Sequence, residues 1–441
     1  MSSGDPQSVF DKSTHSNFNT AFTLLPWIIC GLAAVFYCYE YLLRISPSVM
    51  VPQLRAAFGV ADVALGSLSA FYFYAYTPMQ LIVGVILDKH GPRKILTVAV
   101  LACAIGTTLF AFSDVFWMAC LGRFLIGFGS AFAFVGVLKL ATIWLPPDKF
   151  AMISGLTTTL GMVGAIFGQN VLVNLVHRIG WSDTILYSGL FGFVLVPLIA
   201  WIVKDVNPEN PHLATHANDV SYRKVFLEVK KVIFNQQIWI NGLVGGLIML
   251  PTTVFAELWG VPFLELQHGY SSTHAAFAVS LIFVGWAVGS PLAGLMSDKF
   301  KRRKRPLMIG SFLALLLMIV IIYGQGLPNW LIYTLLFAFG VASSVEVICF
   351  AVGRENAPFT VAATAVAFTN LVVVIAGLFQ PIVGKLLDLS WDGTLLDEGL
   401  RVYRLEDYQI ALTLLPISLF LACILSFFLK ETYCKPIDEK N

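Results

Sequence analysis

The stretch Gly84-Val85-Ile86-Leu87-Asp88-Lys89-His90-Gly91-Pro92-Arg93-Lys94 ends a long apolar run with a compact burst of charge. The same shape returns 210 positions later as Gly294-Leu295-Met296-Ser297-Asp298-Lys299-Phe300-Lys301-Arg302-Arg303-Lys304. In each copy a Gly is followed four residues later by Asp, and basic residues fill the turn. The Gly at 84 or 294 is expected to let a neighbouring helix approach closely. The Asp at 88 or 298 is expected to accept hydrogen bonds from the free amides at a neighbouring helix N-terminus. The basic residues, Lys89 and Arg93 in the first copy and Lys299 in the second, hold each turn on the cytoplasmic side of a membrane. A loop kept inside by its positive charge explains the Lys and Arg, but not the positions of the Gly and Asp.

Composition reaches the membrane independently. The 441 residues are 57% hydrophobic and 12% charged, whereas a soluble chain carries roughly a quarter charged residues. A net charge of +2 says little about partners when the charges are sorted by side. Of the seven cysteines, Cys30, Cys38, Cys103, Cys120, Cys349 and Cys423 lie inside apolar runs without C-x-x-C spacing, so they read as packing residues. No cluster has metal-ligand spacing, no phosphate loop for ATP occurs, and no basic-aromatic patch points to nucleic acid. Neither metal nor cofactor is expected, and the chain does not read as an enzyme.

Twelve apolar segments have the length of a spanning helix. Six fall at 22–45, 62–87, 95–113, 117–144, 149–176 and 183–203, and six at 236–264, 274–297, 306–325, 329–352, 359–389 and 408–430. Residues 1–21 read as a polar cytoplasmic tail without a cleavable signal, 204–235 as a charged cytoplasmic linker, and 431–441 as a second tail. Lys89, Arg93, Lys94, Lys149, the linker cluster, the 299–305 run, Arg354 and Lys430 share one side. Arg55, Arg178, Arg401 and Arg404 are the main basic residues of the other, so both termini are expected in the cytoplasm. The halves 22–203 and 236–430 are repeats: Gly59 matches Gly269, Pro52 matches Pro262, Trp181 matches Trp391, and Gly129 matches Gly340 with a shift of one.

With its paired turns, the chain resembles the major facilitator superfamily, whose signature between helices 2 and 3 reads G-x-x-x-D-[RK]-x-G-[RK]-[RK]. Here Pro92 is inserted after Gly91, and the second copy lacks the second Gly. The resemblance runs from about Leu24 to Lys430. It implies an all-α membrane protein of two pseudo-symmetric six-helix bundles, with a substrate site near the midplane between them. It further implies a monomeric secondary transporter working by alternating access.

Ionisable residues inside spanning helices are costly and mark cavities or partners. Glu40 and Arg44 lie four apart on one face of helix 1, close to Tyr37. They read as a cavity-lining stripe, with Glu40 taking a proton or a substrate amine and Arg44 reading a carboxylate; an internal ion pair is the alternative. Gly122-Arg123-Phe124-Leu125-Ile126-Gly127-Phe128-Gly129 matches the family's helix-4 pattern, whose Arg commonly faces the cavity. Since Glu40 can neutralise Arg44, Arg123 is expected to be the open anion site that binds a substrate carboxylate. The alternative for Arg123 is a packing arginine bonded to backbone carbonyls. Lys139, near the helix end, is expected to snorkel to the surface. Glu257 sits late in helix 7, at a depth similar to Arg44, and is expected to face a substrate amine. Glu346, mid-helix 10 without a basic neighbour in sequence, suits proton coupling, as Glu40 does. Gln169 and Gln380 offer uncharged hydrogen bonds from helices 5 and 11, although a structural role explains them as well.

Gly155, Gly161, Gly164 and Gly168 form a packing face on helix 5. Related drug–proton antiporters carry Gly-Pro here; Ala165 follows Gly164 instead, which favours uptake. The mixed acid-base set predicts proton-coupled uptake of a small zwitterion or anion, meaning an amino acid, short peptide or related carboxylate, across a bacterial-type inner membrane. The helix-1 stretch also resembles nutrient permeases of intracellular bacteria and, more distantly, lysosomal dipeptide carriers. A carboxylate-type siderophore, or a receptor that binds without translocating, are the other readings.

Overall fold

A computed structural model describes residues 19–145, 150–208, 230, 232–357, 361–394 and 401–435. Residues 1–18, 436–441 and most of the linker, with Arg223, Lys224 and Lys231, lie outside the described residues, as does Lys149.

The membrane-length helices are α1 (Leu24–Val49), α3 (Pro92–Ala111), α4 (Phe116–Trp144), α5 (Ile153–Ile179) and α6 (Trp181–Ile202) in the first half. The second half holds α7 (Gln236–His268), α8 (Ser272–Phe300), α9 (Lys304–Tyr323), α10 (Asn329–Glu355), α11 (Thr364–Ser390) and α12 (Leu405–Phe428). The remaining span, α2, is Asp62–Met79, continued after a turn at 80–82 by Val83–His90. The short helix Val51–Phe58 cannot belong to that span, because it turns away from it by 110°. Each observed span overlaps the one expected from sequence.

Within each half the helices divide by exposure. Most of α7 is buried, whereas most of α6 is not, and its apolar side chains face outward as lipid-exposed ones do. Two seams join the halves, α5 against α8 and α2 against α11. At the second seam a Cβ on Gly66 would lie 2.6 Å from the Gln380 carbonyl, and one on Gly384 would strike the Asp62 carbonyl. Glycine is therefore what lets these two backbones meet. On α5, Gly161, Gly164 and Gly168 abut α1 as the spacing predicts, whereas Gly155 has open space around it.

The first, fourth, seventh and tenth helices are irregular, and each carries buried charge. The C-terminal end of α1 tightens into a 3₁₀ turn at Ser46–Val49, and α4 is interrupted at 131–132. In α7 a π-helical segment spans Thr252–Trp259, and α10 has a 3₁₀ turn at Ser344–Val347. Pro251 gives α7 no amide to bond the Leu247 carbonyl, and the Ser418 hydroxyl of α12 donates to that carbonyl at 3.2 Å instead.

The face carrying the α2–α3 and α8–α9 turns is called the turn face here. Gly91 is needed there twice: its φ is +80°, and a Cβ would lie 2.7 Å from the Asp205 carboxylate. That carboxylate accepts from the Arg93 amide at 2.7 Å and so caps α3, while Arg93 Nε donates to the Ala200 carbonyl at 2.7 Å. In the second half Glu431 does the same for α9, accepting from the amides of Arg303 and Lys304 at 2.7 and 3.2 Å.

Two expectations, about the turn glycines and about Lys139, need correcting. Gly84 and Gly294 admit no neighbour, since a Cβ at either would meet nothing within 4 Å. Lys139 does not snorkel freely; its Nζ pairs with Asp88 at 2.7 Å, because α4 passes directly beside the end of α2. Asp298 pairs with Arg303 of its own turn at 2.6 Å, and Arg303 also reaches Glu355 at 2.8 Å. The amides expected to cap against Asp88 and Asp298, near 358–360 and 146–149, lie outside the described residues. Lys89 and Lys299 are exposed on this face.

Candidate functional site

The charged residues of α1, α4 and α7 come together where the two halves meet. Four-residue spacing on α1 stacks Glu40 and Arg44, and their ion pair measures 3.2 Å with both side chains buried. Tyr72 of α2 joins the pair, donating its hydroxyl to Glu40 Oε2 at 2.8 Å and accepting from Arg44 Nε at 3.0 Å. The Arg44 guanidinium also lies over three tyrosine rings, Tyr41 at 4.2 Å, Tyr76 at 5.0 Å and Tyr72 at 5.2 Å. Such a cage stabilises a cation that has left water, by about 0.5–2 kcal/mol per ring contact. Tyr37 packs edge-on against Tyr41 at 5.2 Å and covers the cage from the α5 side, where Gly161 makes room for its ring.

Arg123 is fully buried. Its fork holds the end of α1, with Nη1 donating to the Leu43 carbonyl at 2.7 Å and Nη2 to the Arg44 carbonyl at 3.1 Å. These carbonyls are available because α1 passes into a 3₁₀ turn at Ser46 and Pro47 lacks an amide. The packing role expected as the alternative for Arg123 is thus its geometry here, with only Nε left without a partner.

Glu257 stands opposite, on the π-helical segment of α7. It is 1% exposed, lies within electrostatic reach of Arg44, Glu40 and Arg123, and among the described residues neither carboxylate oxygen has a hydrogen-bond partner. A buried carboxylate facing two guanidinium groups without bonding either leaves hydrogen-bonding capacity for a ligand. Glu346 is separate from this group. It sits on the 3₁₀ turn of α10, 3% exposed, and among the described residues Oε1 has no partner and no basic residue lies near it.

Gln169 and Gln380 both donate to backbone carbonyls of the π-helical segment. Gln169 Nε2 reaches the Ala256 carbonyl at 2.8 Å and Ser48 Oγ at 3.0 Å; Gln380 Nε2 reaches the Thr253 carbonyl at 2.8 Å.

Sequence reasoning missed Tyr72 and Tyr76. Their signal was present, since they lie four apart in Phe71-Tyr72-Phe73-Tyr74-Ala75-Tyr76, as Glu40 and Arg44 do on α1. It also missed a polar network closing the face opposite the turns. Arg55 pairs with Asp62 at 2.6 Å and lies over the Tyr403 ring at 5.4 Å. Asp388 accepts from Arg401 at 2.8 Å, from Tyr403 at 2.6 Å and, across the seam, from the Val63 amide at 3.1 Å. Burial, with Asp62 and Asp388 nearby, pushes the Tyr403 phenol well above its usual range, so it remains a neutral donor.

Two six-helix halves with paired charged turns, irregular central helices and a buried acid-base cluster between them define a membrane transporter fold. Residues 30–381 match the Major Facilitator Superfamily, and the chain belongs to that family. Among its relatives, the probable sulfoacetate transporter SauU of Cupriavidus necator is 24% identical over 285 residues, which are 63% of this chain and 66% of SauU. The probable galactarate/D-glucarate transporter GudP of Escherichia coli is 22% identical over 414 residues, 85% of this chain and 90% of GudP. In fold the chain is similar to a bacterial homologue of the human lysosomal transporter Spinster, solved in an inward-facing and occupied conformation. There the TM-score is 0.75 at 16% identity, covering 92% of this chain and 97% of that one.

Proposed function

We propose that the protein is a proton-coupled secondary transporter that takes up a small organic anion by alternating access. The observation that carries this is the convergence of Arg44, Arg123 and the unpartnered Glu257 at the junction of the two halves. Transport proteins that rock about a central site place it there. Of the zwitterions and anions expected from sequence, the anions gain support from the relatives, whose printed names speak of sulfoacetate and of galactarate or D-glucarate. An anion would enter the tyrosine cage at Arg44, and Glu257 would accept from a hydroxyl or ammonium group of the same molecule. The fork of Arg123 already holds two carbonyls, so it supplies positive potential and one free Nε donor.

Coupling follows from the ion pair. While Glu40 is ionised it competes with the substrate for Arg44. A proton on Glu40 removes that competitor, so proton and anion favour each other's binding, as linkage requires. Glu346, buried and without a cation among the described residues, is the second carboxylate placed to carry a proton. The turn face would be cytoplasmic, with both termini, in a bacterial inner membrane. The polar network of Asp62, Asp388 and Tyr403 would then be the closed outer gate.

The test is counterflow in proteoliposomes loaded with unlabelled sulfoacetate or D-glucarate, with the labelled anion outside. Accumulation that Arg44→Ala abolishes supports the reading. Saturable binding without exchange would make the protein a receptor, and exchange of amino acids or peptides but not anions would overturn the substrate class.

A further inference from the structure

The segment Thr252–Trp259 is the one stretch where α7 leaves the α register, and it carries Glu257. A π-helical turn holds one residue more than an α turn. Reverting to α would therefore swing the following side chains by about 100°, the angle each residue subtends on an α-helix. The sequence leaves this choice open, because Pro251 and Pro262 bracket the segment and neither has an amide to fix the neighbouring turn. Local propensity therefore does not determine which way Glu257 points.

Side chains from other helices bond to the segment. Gln380 of α11 donates to the Thr253 carbonyl, and its own carbonyl accepts from the Trp259 indole at 3.2 Å. Gln169 of α5 donates to the Ala256 carbonyl, the residue before Glu257. Both glutamines are fully buried, and in both the side-chain oxygen has no partner among the described residues. Each amide is thus oriented by its donor alone, and each is aimed at this segment.

The two bonds differ in origin. Gln380 and α7 belong to the same half, so their bond persists when the halves move as bodies. Gln169 belongs to the other half, and its bond exists only while α5 and α7 are in contact.

We propose that Gln169 and Gln380 are positioning residues that hold α7 in its π register and so keep Glu257 turned toward Arg44 and Arg123. Because Gln169 acts across the junction, separation of the halves at this level releases the Ala256 carbonyl, and the placement of Glu257 becomes tied to which face is closed. The inference rests on the reading of Glu257 as part of the substrate site, but its central claim concerns register and can be measured without substrate.

The experiment is hydrogen–deuterium exchange on the full-length protein in nanodiscs, comparing wild type with Gln169→Leu, Gln169→Asn and Gln380→Leu. Leucine keeps the volume and removes the donor; asparagine keeps the amide but is too short to reach. Amides of 252–260 should exchange at least tenfold faster in each variant, with 236–248 unchanged. In parallel, Glu257→Cys on a cysteine-free background is labelled with a small anionic thiosulfonate. Adding Gln169→Leu should slow that labelling at least fivefold, because the thiol turns away from the two arginines. Unchanged exchange and unchanged labelling would overturn the proposal. The site reading is tested separately by sulfoacetate binding to Glu257→Gln. If that binding equals wild type while the exchange effect holds, the positioning role stands and the substrate role of Glu257 falls.

Discussion

Tyr72 and Glu40 are joined by a 2.8 Å hydrogen bond, and the same phenol oxygen accepts from Arg44, so one hydroxyl ties both ends of a buried ion pair. Tyr72→Phe keeps the ring over Arg44 but leaves Glu40 Oε2 and Arg44 Nε short of a partner. A lost hydrogen bond to a charged group costs about 1.5–3 kcal/mol, so thermal unfolding in detergent should move to lower temperature. Tyr72→Phe and Glu40→Gln should be non-additive in a double-mutant cycle, with a coupling above about 0.5 kcal/mol. Additive effects would show that the three groups do not act as one unit.

Arg123 and Arg44 should separate by readout. Arg123→Lys cannot reach both the Leu43 and Arg44 carbonyls, so it should lower stability by about 1–3 kcal/mol and reduce transport of every substrate alike. Arg44→Lys keeps the charge in the tyrosine cage but loses the planar fork. It should weaken binding of a carboxylate markedly, and binding of the corresponding amide much less. If the amide and the free acid bind wild type equally well, neither arginine reads substrate charge.

The spans and the repeat were legible because a spanning helix needs about 20 apolar residues and little else. The charged members of the site stood out for the same reason: Glu40, Arg44, Arg123 and Glu257 are expensive where they lie. Tyr72 and Tyr76 did not, since an aromatic residue is ordinary in a membrane helix and only its partner makes it polar. The π-helical segment was hidden more deeply. Its prolines are visible in sequence, but its register is stabilised by donors 87 and 127 residues away. The Lys139 partner of Asp88 was not legible, because a turn motif specifies a carboxylate and not which helix will pass beside it.

The Asp88–Lys139 pair is half-exposed, so its net worth for stability is below about 1 kcal/mol. Asp88→Asn should accordingly leave thermal stability close to wild type while lowering uptake at equal expression. The exchanged pair, Asp88→Lys with Lys139→Asp, should recover part of that loss. A double variant no better than the worse single one would mean that Asp88 acts through another partner.

On the face opposite the turns, Asp388 accepts three hydrogen bonds, from Arg401, Tyr403 and the Val63 amide. Asp388→Asn removes the charge that holds Arg401 and weakens the one hydrogen bond of this set that crosses between the halves. The halves should then part more often on this face. With Ser48→Cys, at a buried position of α1, as a reporter, a membrane-impermeant maleimide added from that side should react several-fold faster in the Asp388→Asn background. Equal rates would show that the network does not hold the face closed.

The ion pair of α1 makes a prediction about coupling that stability measurements cannot make. If a proton on Glu40 is what frees Arg44 for the anion, Glu40→Gln should mimic the protonated state permanently. Anion binding should survive and lose its dependence on pH, since the competitor for Arg44 is gone at every pH. Counterflow exchange should persist, because it needs no net proton movement. Uphill uptake should collapse to the level that wild type shows with a protonophore. Glu346→Gln should abolish uphill uptake in the same way if it carries a proton. It should leave the pH dependence of binding in place, because it lies apart from Arg44 and Arg123. Uphill uptake that persists in both variants would assign the driving ion to another site.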